Sequence, residues 1–313
     1  MVETMRQAQL HNWGDHNTFE IAEVPIPEPT PGKLLIKTAS LGINPVDWKT
    51  RAGNGIAGLL PSTRPIVLGW DIAGTVVSTG PDAAGFTVGD EVYGLIGFPD
   101  LGNAYAEYVC VKATDVTHIP VTMPLEDAGA VPLVALTAWQ ALFDIAEIKK
   151  DDHILIHAGA GGVGHVAIQL AVHAGATVYA TASSHNHAFL SELGAIPVDY
   201  ASDNYGADLP AFDVVLDTIG GQAFTYSLDL MAPSGIIISV PDPSSLDEAR
   251  ARGIRAEWVF VHPNAAQLRK ISGLIDDASL RINIDRRYPL DEIGTAHSYG
   301  EKGHVRGKLV VNP

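Results

Sequence analysis

The segment IHAGAGGVGHVAIQL, residues 156–170, carries glycines where a core segment would normally carry large side chains. Gly159, Gly161 and Gly164 give the spacing G-x-G-x-x-G, after the apolar run ILIH and before an amphipathic helical pattern. Without Cβ atoms the chain can turn tightly and a pyrophosphate can approach the main chain. The N–H groups of a following helix, beginning here with Gly162 and Val163, would stabilise the anion. The segment predicts a dinucleotide-binding turn, with a plain tight turn as the alternative.

The surrounding pattern extends this prediction to a fold. From about Asp151, the apolar runs HILIHA, TVYATA, FDVVLDTIG and GIIISV alternate with helical stretches, which is typical of a doubly wound parallel sheet. Residues 1 to about 115 instead hold short β-type runs broken by turn residues. We therefore predict an α/β protein with a β-rich domain at 1–120, joined by about 286–313, and a Rossmann-type domain at 121–285.

The second strand of the predicted sheet indicates which dinucleotide is bound. An NAD site places an acidic residue about 20 residues after the glycines, against the ribose 2′-hydroxyl. Here Ser183 and Ser184 follow the strand, and they leave a 2′-phosphate unopposed, so NADP(H) is favoured. Because no Lys or Arg lies between Lys150 and Arg250, His185 or His187 must replace the usual cation. The alternative for both histidines is an exposed loop position.

Charge and cysteine content exclude several classes of partner. A formal net charge of -16 disfavours nucleic acid and anionic membranes. The single cysteine, Cys110, cannot form an internal disulfide, and the N-terminus lacks the pattern of a signal peptide, so we expect a reducing cytoplasm. The uncharged stretch 128–143 is too short and too interrupted for a bilayer span, and it is predicted to be packed helical turns.

Several motifs together resemble the zinc-independent medium-chain dehydrogenase/reductases, in particular the quinone oxidoreductases related to zeta-crystallin. They are LGINPVDWKTRAG, PIVLGWDIAGTVVSTG, FTVGDEVYG, VPLVALTAWQAL, the glycine-rich segment, FDVVLDTIGG and GHVRGKLVV. The resemblance implies a GroES-like catalytic domain, a Rossmann domain, a cofactor cleft between them, and a homodimer joined through the Rossmann sheets. Zinc enzymes of the wider family carry Gly-His-Glu where this chain has Gly69, Trp70 and Asp71, so no metal site is expected.

The resemblance also implies individual contacts with the cofactor. Asn44 would face the nicotinamide, and Ser183, His185 and Tyr200 match positions that hold the adenosine 2′-phosphate, where the family usually has Lys or Arg in place of His185. Taken from the residues alone, Asn44 followed by Pro45 is equally a helix N-cap with proline at the first helical position. The remaining implied contacts are Thr137, Thr218, Ile219, Val240, Phe260, Val261, His304 and Lys308.

Two charged residues directly after Asn44 are candidates for the proton transfer that follows hydride transfer. Lys49 would polarise the acceptor oxygen or donate a proton if burial lowered its pKa, with Asp47 two residues before it. The alternative is a helix first turn at Asp47 and a solvated cation at Lys49.

The function predicted from the sequence is NADPH-dependent reduction of a quinone or an α,β-unsaturated carbonyl compound (enone) by direct hydride transfer without zinc. One alternative is zinc-free reduction of an aldehyde or ketone. Another is an NADPH-binding sensor or structural protein without significant turnover.

Overall fold

The computed structural model describes residues 2–202, 206 and 209–313. The chain divides into two compact units: unit 1 comprises Met1–Leu136, His262–Ala278 and Ile282–Pro313, and unit 2 comprises Thr137–Val261 and Ser279–Arg281. This division differs from the predicted boundaries because residues 121–136 and 262–278 pack within unit 1. The Tyr93 hydroxyl, for example, donates to the Leu268 carbonyl oxygen at 2.9 Å.

Unit 2 is built on a parallel sheet with strand order β11-β10-β9-β12-β13-β14. The first strand, β9, lies in the middle, and the chain winds outward first on one side and then on the other. The order therefore reverses between β9 and β12, where sheets of this kind bind ligands. The strands are β9 (His153–Ile156), β10 (Thr177–Ala182), β11 (Ile196–Asp199), β12 (Phe212–Asp217), β13 (Met231–Ser239) and β14 (Arg255–Trp258).

Helices connect these strands, and the two together bury an apolar core. Leu155 on β9 and Val215 on β12 are fully buried, because strands covered on both faces need near-continuous apolar runs. Phe224 packs on them from the helix after β12. The helices of unit 2 are α4 (Gly162–His173), α5 (His187–Glu192), α6 (Gln222–Ser227) and α7 (Leu246–Ala251). The predicted α/β fold with a doubly wound parallel sheet is confirmed.

Unit 1 is β-rich, as predicted for the first domain. One sheet has the order β2-β1-β4, and a larger one has the order β15-β16-β3-β5-β6-β8, with β7 also paired to β3. The C-terminal strand β16 pairs with β3, so the end of the chain belongs to this unit. The strands are β1 (Thr4–Leu10), β2 (Phe19–Pro25), β3 (Lys33–Ile43), β4 (Ile66–Val67), β5 (Asp71–Thr79), β6 (Glu91–Leu95), β7 (Tyr108–Lys112), β8 (Val116–His118), β15 (Ile284–Pro289) and β16 (Lys308–Asn312).

Helices at strand ends complete unit 1. They are α1 (Pro45–Arg51), α2 (Leu125–Ala128), α8 (Ala265–Asp276), α9 (Ile293–Glu301) and the beginning of α3 (Pro132–Trp139), which continues as π-helix over Gln140–Ile145. The stretch 128–143 thus forms mostly buried helical turns, as predicted. Within the residues that the structure describes, no helix is both long and apolar enough to cross a bilayer.

Candidate active site

The glycine-rich turn connects β9 to α4 and is fastened to the end of β10. The Gly159 amide donates to the Thr181 carbonyl oxygen at 2.8 Å, and the Ala158 amide donates to Thr181 Oγ1 at 3.1 Å. Ala158 has a φ of 45°, in the left-handed region that side chains rarely adopt. These bonds hold the turn at the carboxyl end of the sheet.

Close packing explains two of the three motif glycines. A Cβ atom at Gly159 would lie 2.7 Å from the Ala180 Cβ, and one at Gly164 would lie 2.3 Å from the Ala158 carbonyl oxygen. A Cβ atom at Gly161 would meet only that carbonyl oxygen, at 3.2 Å. Both closer distances are far below van der Waals contact, so the turn in this form excludes side chains at 159 and 164.

Helix α4 begins directly after this turn with its first N–H groups uncapped. Gly161 is its N-cap residue, and no side chain in the described part of the chain caps it. The amides of the first turn, at Gly162 and Val163, have no carbonyl partner within the helix. Together with the helix dipole they form an anion site of the kind that fits a pyrophosphate. The residues present therefore fit a dinucleotide.

The predicted 2′-phosphate residues meet at the ends of β10 and β11. Ser183 Oγ lies 3.0 Å from His185 Nδ1, and Ser184 is exposed beside them. Ala182 pairs with Asp199 in the parallel register, so Tyr200 follows on the adjacent strand end. His187, the other candidate histidine, instead begins α5, and its Nε2 atom is buried with no hydrogen-bond partner among the described residues.

A third group of predicted residues follows β12 and β13. The Val240 amide donates to the Asp217 carbonyl oxygen at 2.8 Å, which places it beside Thr218 and Ile219. The Trp258 indole donates to the Val240 carbonyl oxygen at 3.4 Å, and its ring packs on Phe260 with centroids 4.9 Å apart. These bonds bring the predicted residues at 218–219, 240 and 260 into one connected group, with Val261 buried behind it.

In unit 1, Asn44 occupies the N-cap position of α1, with Pro45 at the first helical position. The main-chain N–H of Asn44 donates to Asp47 Oδ2 at 2.6 Å, and this bond closes the first turn of the helix. The Asn44 Nδ2 atom donates to Asp71 Oδ2 at 2.8 Å, and its Oδ1 atom accepts from the Lys308 ammonium. The side-chain amide of Asn44 thus has a carboxylate at its nitrogen and an ammonium group at its oxygen, and these two partners fix its orientation.

Lys308, Asn44 and Asp71 form a buried polar cluster. The Lys308 ammonium also donates to the Ile43 carbonyl oxygen at 2.8 Å and lies 3.8 Å from Asp71 Oδ2. Asp71 Oδ1 accepts from the Leu133 amide at 2.8 Å. The charged side chains of Lys308 and Asp71 are both buried, and each has hydrogen-bond partners in the protein. Such partners are needed because burying an isolated charge costs several kcal/mol.

Burial favours the neutral forms of Asp47, Asp71 and Lys308. Loss of water raises the pKa of Asp47 to about 7, and the Asp71 carboxylate adds to this shift while the Asn44 amide opposes it. Burial likewise raises the pKa of Asp71 to about 6, against the nearby Lys308 ammonium. The pKa of Lys308 is lowered by burial, although both carboxylates oppose the change. Asp47 thus carries a titrating proton near neutral pH.

A chain of hydrogen bonds leads from Tyr105 to the surface of unit 1. The Tyr105 hydroxyl lies 3.0 Å from His297 Nε2, His297 Nδ1 lies 3.5 Å from an Arg51 nitrogen, and Arg51 binds Glu301 at 2.5 Å. Since arginine only donates, His297 Nδ1 is the acceptor and Nε2–H donates to Tyr105. Burial, helped by Arg51, lowers the pKa of His297 well below its ordinary value, so the ring stays neutral.

Three further predicted site residues are Lys49, His304 and Thr137. Lys49 is exposed on α1, so the burial invoked for its role as a proton donor is absent. His304 is exposed before β16, and Thr137 is buried on α3. Their roles stay predictions.

Sequence reasoning missed His157 and the polar role of Asp217 and Asp71. Each is a charged or ionisable residue at the end of an apolar run, in ILIHA, VVLDTIG and WDIAG. A polar residue at a strand end that is fully buried needs a partner, and this signal was available in the sequence.

In the described part of the chain, no three His, Cys, Asp or Glu side chains cluster in a way that could hold a metal ion. Asp71, which stands in the Gly69-Trp70-Asp71 segment, has both carboxylate oxygens engaged by protein donors.

Comparison with known proteins identifies the family. Residues 30–121 match the alcohol dehydrogenase GroES-like domain, and residues 193–311 match a family described as zinc-binding dehydrogenase. A chloroplast envelope quinone oxidoreductase homolog of Arabidopsis thaliana is 30% identical over 99% of this chain and 98% of its own length. A 2-methylene-furan-3-one reductase of Solanum lycopersicum is 33% identical over 93% of this chain and 74% of its own.

Solved structures give the same result. The quinone oxidoreductase from Coxiella burnetii superposes with a TM-score of 0.95 at 38% identity, over 99% of this chain and all of that one (100%). A mycobacterial protein complexed with NADPH superposes with a TM-score of 0.84 at 27% identity, over 99% of this chain and 100% of its own.

A GroES-like unit and a Rossmann-type unit with a dinucleotide turn define a nicotinamide-dependent oxidoreductase. The chain belongs to the quinone-oxidoreductase-like medium-chain dehydrogenases/reductases, which confirms the resemblance stated from its motifs. It is an enzyme of the medium-chain reductase type, acting with a nicotinamide cofactor.

Proposed function

We propose that this enzyme uses NADPH to reduce a quinone or an α,β-unsaturated carbonyl compound by direct hydride transfer without zinc. The observation that carries the cofactor preference is the pair Ser183–His185, 3.0 Å apart directly after β10. The sequence from Thr177 to Ser191 contains no Asp or Glu. Two polar groups and no carboxylate favour a 2′-phosphate over a 2′-hydroxyl.

The class of acceptor is supported by the relatives. Those named above are a quinone oxidoreductase homolog, a 2-methylene-furan-3-one reductase and a quinone oxidoreductase. Quinones and enones accept hydride at a position conjugated with a carbonyl group, so the reaction needs no Lewis acid to polarise an isolated carbonyl. The engagement of Asp71 with Asn44 and Leu133 agrees with a site built without a metal.

The chain's own residues would bind and orient the cofactor. The amides of Gly162 and Val163 would hold the pyrophosphate, and Ser183 and His185 would hold the 2′-phosphate. The residues that follow β12 and β13 would contact the nicotinamide half. Bound NADPH would supply the hydride, while the protein supplies orientation.

We propose further that the enzyme is a homodimer in a reducing cytoplasm. The strand β14 is at the edge of the parallel sheet of unit 2, and a sheet edge is a place where a strand of a second copy can pair. The single cysteine, Cys110, suits a reducing compartment. Size-exclusion chromatography with light scattering would give the mass, and a mass of one chain would contradict the dimer.

The test of this function is a comparison of cofactors and acceptors. Oxidation of NADPH and NADH is followed against a quinone, an enone and a saturated ketone, with and without a chelator. We expect NADPH oxidation with the quinone or the enone, unaffected by the chelator. Activity on the saturated ketone alone would favour a carbonyl reductase. Tight NADPH binding without turnover across the panel would favour a sensor, and loss of activity with the chelator would contradict the zinc-free mechanism.

A further inference from the structure

We propose that His157 is a positioning residue, which holds the loop Thr218–Gly220 in the form that binds the nicotinamide half of the cofactor. His157 acts through the Asp217 carboxylate and does not itself touch the cofactor. The inference rests on the proposed NADPH-dependent function, and it adds two residues that the sequence analysis did not assign.

The Asp217 carboxylate is the link between His157 and the loop. His157 Nδ1 lies 3.1 Å from Asp217 Oδ1, and both side chains are buried. The same carboxylate accepts from the Ile219 amide at 3.1 Å and from the Gly220 amide at 3.0 Å. Gly220 and Gly221 have φ values of 81° and 59°, so the loop adopts a left-handed path that these hydrogen bonds stabilise.

A second hydrogen bond ties the same loop to the same residue. Thr218 Oγ1 donates to the His157 carbonyl oxygen at 2.8 Å. His157 directly precedes Ala158, where the glycine-rich turn begins. The loop after β12 is therefore fastened to the turn after β9, at the point where the strand order reverses.

On its far side the imidazole is held by Ser227. Ser227 Oγ lies 2.9 Å from His157 Nε2 and 2.8 Å from the Ala223 carbonyl oxygen. Serine, histidine and aspartate are thus arranged as in hydrolases, but Ser227 is fully buried and cannot meet a substrate. The arrangement orients the imidazole instead.

The position of the loop in the sheet indicates which half of the cofactor it meets. The proposed pyrophosphate site is the first turn of α4, directly after the central strand β9. The Ser183–His185 pair lies on the β10 side of β9, and β12 and β13 lie on the other side. An extended dinucleotide with its adenosine over β10 places its nicotinamide half over β12 and β13. Ile219, 52% exposed at this strand end, is a large apolar side chain in the position of a ligand contact.

Two substitutions at 157 separate the two hydrogen bonds of the ring. In His157→Asn the side-chain amide takes the place of Nδ1 and keeps a donor to Asp217. In His157→Gln the longer amide takes the place of Nε2, keeps the contact with Ser227 and loses the contact with Asp217. Dissociation constants are measured for NADPH and for adenosine 2′,5′-bisphosphate, which lacks the nicotinamide half, together with kcat and KM.

We expect His157→Gln to weaken NADPH binding about tenfold, the effect of one lost hydrogen bond to a charged group, and to leave adenosine 2′,5′-bisphosphate within about twofold. His157→Asn should bind both ligands as the wild type does. In hydrogen exchange, the Ile219 and Gly220 amides should lose protection in His157→Gln and keep it in His157→Asn.

Unchanged NADPH affinity in a folded His157→Gln protein would overturn the inference, and so would equal weakening of both ligands, which indicates a merely structural role. If His157→Gln does not fold, Ser227→Ala decides in the same way, because it removes only the hydroxyl that holds His157 Nε2 and leaves the proposed cofactor contacts unchanged. A wild-type protein that binds no NADPH would overturn the proposed function and this inference together. If the wild type binds NADPH but His157→Gln changes the affinities for NADPH and adenosine 2′,5′-bisphosphate by the same factor, the inference alone would be overturned.

Discussion

Gly164 lies so close to Ala158 that a Cβ atom at 164 would stand 2.3 Å from the Ala158 carbonyl oxygen. The first turn of α4 therefore packs in direct contact with the glycine-rich turn that precedes it. This close approach keeps the helix N-terminus beside the carboxyl end of β9, where its amides would bind the proposed pyrophosphate.

Gly164→Ala should therefore destabilise the protein by about 1–3 kcal/mol, because the new methyl group meets main-chain atoms that cannot yield without moving the turn. NADPH binding should weaken as well. The matched control is Gly273→Ala on α8, where nothing lies within 4 Å of the added atom. That change should stabilise by about 0.5–1 kcal/mol, the difference in helix propensity. Urea unfolding measures both, and equal stabilities would contradict the packing argument.

Asp47 should make the protein less stable as the pH rises through neutrality. Its pKa is about 7 in the folded chain and 3.8 as an ordinary value, so between these values the folded state binds more protons than the unfolded state. The stabilisation is complete below pH 3.8 and is lost as pH rises through about 7. Asp47→Asn should remove a slope of up to about 1.4 kcal/mol per pH unit.

Urea unfolding at intervals from pH 5 to pH 8 would measure this difference in slope. Glu28→Gln is the control, since it removes an exposed carboxylate and should leave the slope of the wild type. If the wild type and Asp47→Asn have parallel profiles, Asp47 does not hold its proton in the folded state.

His185 should contribute to the affinity for NADPH. Its Nδ1 atom lies 3.0 Å from Ser183 Oγ, where the 2′-phosphate is proposed to bind, so the ring can donate a hydrogen bond to that phosphate. His185→Ala should therefore lower the affinity for NADPH about fivefold and leave the affinity for NADH unchanged.

Titration calorimetry with NADPH and with NADH gives the affinities. His173→Ala, an exposed histidine at the other end of α4, serves as the control. Equal NADPH affinity in the wild type and His185→Ala would remove His185 from the site.

The sequence predicted Lys49 as a proton donor on the condition that it is buried, and Lys49 is exposed. With that condition unmet, water is the expected donor, and Lys49→Ala should keep kcat within about twofold of the wild type. Steady-state kinetics on a quinone and an enone would measure the effect, with the exposed Lys112→Ala as control. A fall in kcat of about a hundredfold in Lys49→Ala alone would mean that Lys49 supplies the proton.

The sequence predicted the glycine-rich turn and the order of strands and helices because both depend on neighbouring residues. The polar cluster was not predictable in this way, since Asn44, Asp71 and Lys308 come from three separate segments. The sequence indicated Lys49 as the candidate proton donor because it follows Asn44 closely, and the family resemblance implied Lys308 only as a cofactor contact. Lys308, 264 residues away, is the lysine that contacts the Asn44 amide. Only the pairing of β16 with β3 brings it there.

The proposed anion site at α4 consists of neutral main-chain amides, in a stretch without a single Lys or Arg from 151 to 249 and in a chain of net charge -16. We therefore expect the negative charge of the protein to repel an approaching anionic coenzyme at distances greater than those at which hydrogen bonds form. Dissolved ions weaken such forces beyond a Debye length of about 8 Å at physiological ionic strength. Added salt should consequently speed the encounter between this enzyme and its coenzyme, the reverse of the electrostatic steering found where basic clefts collect phosphates.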